Sequence, residues 1–158
     1  LTFGGVDRYL APGKGPETLN VLTNALYDIE PQPHTGDFLA AAERLMREVP
    51  KRSMVLLLTN LRDEDESELG MAIRVLSTKH LVVVASLRER VLQELAEAPV
   101  GGLDDAIALS ATHLYLAQRR KTFSRLVSRE TFALDVEPQA LPIALVNQYL
   151  EIKRSGRL

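Results

Sequence analysis

The densest run of chemistry-bearing side chains in this 158-residue sequence is Asn60-Leu61-Arg62-Asp63-Glu64-Asp65-Glu66, directly after an apolar stretch at 53–59. Carboxylate and amide oxygens packed this closely suit a hard cation, since Mg²⁺ and Ca²⁺ prefer oxygen ligands. Asp63 and Asp65 make a minimal Asp-x-Asp pair of the kind a Mg²⁺-dependent, phosphatase-like hydrolase would use. The competing reading is structural: acids ahead of a helix offset the positive end of its dipole while staying solvated, the commoner fate of a charge run. Thr35 and Asp37 pose the same choice, between capping the helix that follows and contacting a metal or ligand; capping is the commoner use.

Other candidates are weaker. Gly13-Lys14-Gly15 lacks the Gly-x-x-x-x-Gly-Lys-Ser/Thr spacing of a phosphate loop and reads as a turn. His34, His80 and His113 fall on a loop, a strand start and a helix, with no zinc-ligand spacing. Ser110 and His113 share one helical turn, but no Gly-x-Ser-x-Gly elbow or orienting third group accompanies them. With no cysteine there is no disulfide framework, thiolate metal site or cysteine nucleophile, which is compatible with a reducing compartment. Arg119-Arg120-Lys121, with Arg125 and Arg129 downstream, forms a basic stretch whose default reading is a solvated helix face and whose functional reading is a docking surface for an acidic partner.

The elements that must position these residues follow from periodicity. Residues 53–59 (Ser-Met-Val-Leu-Leu-Leu-Thr) and 81–87 (Leu-Val-Val-Val-Ala-Ser-Leu) are continuously apolar, as for parallel strands buried on both faces, and are expected to form the sheet centre. Between them Leu69, Ala72, Ile73 and Leu76 space a helix, so a strand-helix-strand unit with a right-handed crossover is predicted. The acidic run then lies beyond the carboxyl end of a strand, where open α/β sheets bind ligands. Residues 1–3 and 6–10 flank Gly4-Gly5 and predict an antiparallel hairpin. Helices are predicted at Leu19 to Ile29 before Pro31, after Asp37 to about Pro50, at 88–98, from about Asp104 toward Ser128, and after Pro138 to Arg154. Phe132, Leu134 and Val136 alternate with Ala133 and Asp135, as on an edge strand.

The balance of 19 Lys+Arg against 21 Asp+Glu, net −2, with 5% aromatics and no Trp, argues against a nucleic-acid binder, which needs a basic footprint and stacking platforms. At 46% hydrophobic and 25% charged the composition predicts one soluble globular domain over residues 1–158. No apolar run approaches the ~18 residues of a membrane span. The start at Leu1, in an apolar triplet, is read as that of a fragment.

The stretch Lys51-Arg52-Ser53-Met54-Val55-Leu56-Leu57-Leu58-Thr59-Asn60-Leu61-Arg62-Asp63-Glu64-Asp65, then His80-Leu81-Val82-Val83-Val84-Ala85-Ser86-Leu87-Arg88-Glu89, resembles the bacterial family catalogued as domain of unknown function 58. The closing Tyr149-Leu150-Glu151-Ile152-Lys153-Arg154-Ser155-Gly156 is similar to that family's C-terminal end. The resemblance implies an α/β, Rossmann-like fold similar to von Willebrand factor A domains: a three-layer sandwich with a mostly parallel sheet and an N-terminal hairpin. It also implies that this chain is the C-terminal half, lacking the first central strand, with membrane segments upstream in the parent. Mapped onto the von Willebrand A metal site, Thr35 matches the loop Thr, with Asp37 as a register alternative. Asn60 stands where the second Asp belongs, and the Asp-x-Ser-x-Ser segment is missing. No cofactor is expected beyond weakly held Mg²⁺, because an Asn carbonyl brings no charge.

The function so implied is a non-enzymatic protein-interaction module, an adaptor or co-chaperone of a MoxR-type AAA+ ATPase or of a client protein. The alternative is the Mg²⁺-dependent hydrolase using Asp63 and Asp65. The implied location is cytoplasmic, with the parent tethered to the bacterial inner membrane. A sheet lacking its central strand leaves unpaired edges at 53–59 and 1–3, closed either by direct pairing with the hairpin or by a symmetric homodimer, the favoured version.

Overall fold

The computed structural model describes residues 1–30, 36–60, 66–128 and 130–157. In chain order they form α1 (Glu17–Leu26), α2 (Phe38–Glu48), β1 (Met54–Thr59), α3 (Glu66–Ser77), β2 (Leu81–Leu87), α4 (Arg90–Glu97), α5 (Leu103–Leu126), β3 (Thr131–Val136) and α6 (Leu141–Arg154). The three strands make one open sheet in the order β1-β2-β3, and both pairings are parallel. The chain is thus a Rossmann-like α/β fold.

Register sorts the side chains onto two faces. Met54 lies opposite Leu81 and Val55 opposite Val82, so odd positions of β1 share a face with even positions of β2. On one face Val55, Leu57, Val82, Val84 and Ala133 pack with Phe38 and Ala42 of α2, Leu69, Ile73 and Leu76 of α3, and Phe123 and Leu126 of α5. On the other, Met54, Leu81, Val83, Phe132 and Leu134 pack with Leu145 and Ile152 of α6. Each fully buried Leu, Ile or Val contributes roughly 1.5–3 kcal/mol of transfer free energy, so the larger core dominates the stability.

β2 is the sheet centre. Its residues are buried from Leu81 to Ser86, which explains the unbroken Leu-Val-Val-Val-Ala run. β1 was expected beside it at the centre; instead it pairs only with β2 among the described residues and lies at an edge. Leu56 and Leu58 are consequently 37% and 53% exposed.

The expected N-terminal hairpin is reduced to a single antiparallel bridge between Thr2 and Arg8. Side-chain chemistry explains this: the Thr2 hydroxyl accepts the Arg8 N–H at 3.0 Å and donates to the Val6 carbonyl at 2.8 Å, taking over a rung of the ladder. Gly4 makes the turn at φ +84°, a conformation that favours glycine. The segment is held on α2 rather than on β1. Phe3 meets Phe38 edge-on at 5.2 Å, and a Cβ at Gly36 would stand 2.8 Å from the Phe3 ring. Arg8 fastens α1 from the other side, donating to the Ala25 carbonyl at 2.6 Å and pairing with Asp28. α1 stops at Leu26, short of the predicted Ile29, and buries no residue.

Candidate functional site

The carboxyl ends of the strands bring together Thr59 and Asn60, Ser86 to Glu89, and Asp135. Ser86 is the register partner of Asp135, so both side chains lie on the face that α5 covers. Arg119, 3% exposed, reaches into that pair from α5. Its Nε donates to Asp135 at 3.1 and 3.2 Å, and its Nη2 donates to Asp135 Oδ1 at 3.0 Å, Ser86 Oγ at 2.7 Å and the Leu87 carbonyl at 3.2 Å. Burial would lower the Arg119 pKa, but the hydrogen bond and charge of Asp135 outweigh it and leave the guanidinium above its ordinary value. A bidentate Arg–carboxylate pair in a dry site is rigid and geometrically specific. It locks α5 to the ends of β2 and β3.

This corrects the reading of the basic stretch. Arg119 is not part of a solvated face, because the sheet supplies a carboxylate and a hydroxyl to receive it. Arg120 and Lys121 are exposed. Arg125 is half exposed and pairs with Glu66 of α3 at 3.1 Å, an acid that also accepts from the Thr122 hydroxyl. Arg129 lies outside the described residues. The sequence reading missed Ser86 and Asp135. The alternation at 132–136 was read as an edge strand, and β3 does lie at an edge among the described residues, but that pattern assigned Asp135 no partner.

Of the candidate metal ligands, Asp63 and Asp65 of the acidic run and Thr35 lie outside the described residues. Asn60 directly follows β1 and its Nδ2 donates to Glu89 at 3.4 Å. Asp37 caps α2, accepting the Ala40 N–H at 2.7 Å, while the Phe38 N–H goes to Glu68 at 2.6 Å. Among the described residues no three His, Asp or Glu side chains converge. Ser110 donates to the Ala106 carbonyl of its own helix at 2.7 Å.

At the opposite, amino end of the sheet His80 is fully buried. Its Nδ1 accepts the Ser53 N–H at 3.2 Å, which places the ring proton on Nε2, an atom with no hydrogen-bond partner among the described residues. Burial, then the charges of Lys79 and Arg52, hold its pKa below the ordinary value.

A cleft of about 590 Å³ runs along the open edge of β1. Residues 56–60 form one wall, residues 1–4 with Arg8 and Leu10 another, and Leu22, Ala25, Leu26 and Ile29 of the α1 region a third. Of the two closures expected for this gap, direct pairing with the hairpin, the less favoured one, is not present among the described residues. No described helix is long and apolar enough to cross a membrane.

Fold and site together define a Rossmann-like α/β domain with an open parallel sheet, a buried Arg–Asp lock and an apolar cleft at one edge. Residues 1–132 match the family described as Protein of unknown function DUF58, and the chain belongs to that family. No curated protein and no solved structure matches it.

Proposed function

We propose that this chain is a non-enzymatic protein-interaction module and that it serves as an adaptor or co-chaperone of a MoxR-type AAA+ ATPase or of that ATPase's client. The observation that carries the reading is the apolar cleft along the edge of β1. An open strand edge presents backbone donors and acceptors that a further strand can satisfy, and apolar walls add a non-directional drive for burial. An extended segment of a partner, added to the sheet, uses both. A symmetric pairing of two copies through the same edge is the homodimeric form of that contact. Arg120, Lys121 and Arg125 offer a second, cationic contact on α5.

The test is sedimentation of the full-length protein with a purified MoxR-type ATPase at low salt. Co-sedimentation is expected, weakened by charge reversal at Arg120 and Lys121 if that face docks. Absence of a complex overturns the adaptor reading. Mg²⁺-dependent turnover of a phosphomonoester, lost in Asp63→Ala, would replace it with the hydrolase.

A further inference from the structure

α4 and the first half of α5 form a helical hairpin that the sheet does not cover. α4 packs against α5 and buries none of its own residues. α5 is 24 residues long, about 36 Å at the rise of a helix, yet its first buried residue is Thr112. Its early apolar residues are therefore left in solvent: Leu103 is 76%, Ile107 59% and Leu114 73% exposed. At 3.6 residues per turn these three positions fall within a stripe about 40° wide. Val91, Leu95 and Val100 are exposed on α4 and at the hairpin tip. Scattered single apolar residues need no explanation, but a helical stripe of them does.

Charge narrows what covers the stripe. From Arg90 at the start of α4 to Gln118 the hairpin holds Glu94, Glu97, Asp104 and Asp105, all exposed, against a single cation, Arg90, so the acids remain in excess. Local contacts steady three of these acids: Glu94 pairs with Arg90 at 3.0 Å, Glu97 accepts from Gln93 at 3.0 Å, and Asp105 accepts the Gly101 N–H at 2.9 Å. An anionic rim repels phosphate backbones and anionic lipid headgroups, and two copies meeting here would set carboxylates against carboxylates. We propose that the α4–α5 hairpin docks onto a partner protein whose receiving surface is an apolar helix face or groove flanked by Lys and Arg. The inference rests on the interaction-module reading but not on the ATPase, so it is tested with a probe that does not depend on that partner.

The probes are two synthetic amphipathic helical peptides with the same leucine stripe, flanked by Lys in one and by Glu in the other. Binding is followed by fluorescence anisotropy and by amide shift mapping on the full chain. The Lys-flanked peptide is expected to bind and to shift Leu103, Ile107 and Leu114. Its affinity should fall about tenfold or more with added salt and with Glu94→Lys/Glu97→Lys/Asp104→Lys, as for a steered, rim-charged interface. Leu103→Ser/Ile107→Ser, whose side chains lie in solvent and whose helix content is checked by circular dichroism, should lose binding as well. Equal binding of the Glu-flanked peptide, shifts confined to another face, or affinity unchanged in both variants would overturn the proposal. So would preferential binding to phosphatidylglycerol vesicles. Loss of the ATPase complex alone would overturn the adaptor reading and leave the hairpin result standing.

Discussion

Arg119 and Asp135 form a pair whose value depends on both members being present. Removing one partner of a buried ion pair strands the other charge, at a cost of about 3–5 kcal/mol. Asp135→Ala should therefore lower the urea midpoint by that equivalent, whereas Arg119→Met/Asp135→Leu should recover much of the loss, because two apolar groups leave nothing unpaired. Equal destabilisation by the single and double variants would contradict this account. His80 carries the opposite kind of dependence. The folded state favours its neutral ring, since burial first, and Lys79 and Arg52 after it, disfavour the cation. The unfolded chain takes up the proton near the ordinary value of about 6.5, so stability is full above that pH. It declines as pH falls below, down to the lowered folded-state value. Denaturation midpoints measured from pH 8 to pH 5 should show this decline, and His80→Gln should remove it; an unchanged slope in the variant would assign the decline to other groups.

β1 shows how one strand can be apolar enough for the middle of a sheet and still sit at its rim. The six residues of β1 satisfy β2 on one side, and the other side faces the cleft that residues 1–4 and α1 wall in. Natural edges are usually blunted by charge, Pro or a bulge, none of which occurs in Met-Val-Leu-Leu-Leu-Thr. Sedimentation of this chain across micromolar to submillimolar concentrations is expected to show a dimer that Leu58→Lys weakens. A monomer throughout would remove the homodimer and leave a partner strand as the occupant. The far wall of the cleft has its own determinant in Gly36. A methyl group there meets the Phe3 ring at 2.8 Å and the Gly4 Cα at 3.2 Å. Gly36→Ala should cost about 1–3 kcal/mol by overpacking, read as a lower melting temperature and increased amide exchange over residues 2–8. Retention of wild-type exchange there would mean that the segment is held by its Thr2 and Arg8 bonds instead.

Taken as a whole, the molecule has one well-covered face and one that is thinly covered. α2, α3 and α5 lie over the larger core, while α6 covers the second near β2 and β3 and leaves Leu56 and Leu58 outside. Among the described residues the candidate cation ligands are few: Asn60 brings no charge and Asp37 spends an oxygen on the α2 cap. Calorimetry should find Mg²⁺ and Mn²⁺ bound no more tightly than the millimolar range, as expected of a ligand set short of carboxylates. A stoichiometric micromolar site would show that acids beyond Asp37 assemble one.

The sequence alone was enough for the α/β class, the buried character of β2, most helix positions to within a few residues, and Thr35 or Asp37 as the cap of α2, a place that Asp37 takes. These rest on local signals: runs, spacings and a capping side chain next to its own helix. Periodicity put β1 at the sheet centre, because hydrophobicity records how apolar a strand is and not how many neighbours it has. An open edge at 53–59 was expected from the family resemblance alone, and the tertiary structure, with its order β1-β2-β3, places β1 at an edge among the described residues. It likewise decided the direction of Arg119. A run of cations reads as solvated in any local window, and the carboxylate that makes burial affordable to Arg119 sits 16 positions away, brought opposite Ser86 by the β2–β3 register. The long helix hid its exposed stripe for the same reason: it packs on both α4 and β3, and its buried residues begin only at Thr112, so no single apolar face runs its length. Periodicity reports one environment per helix, and α5 passes through two.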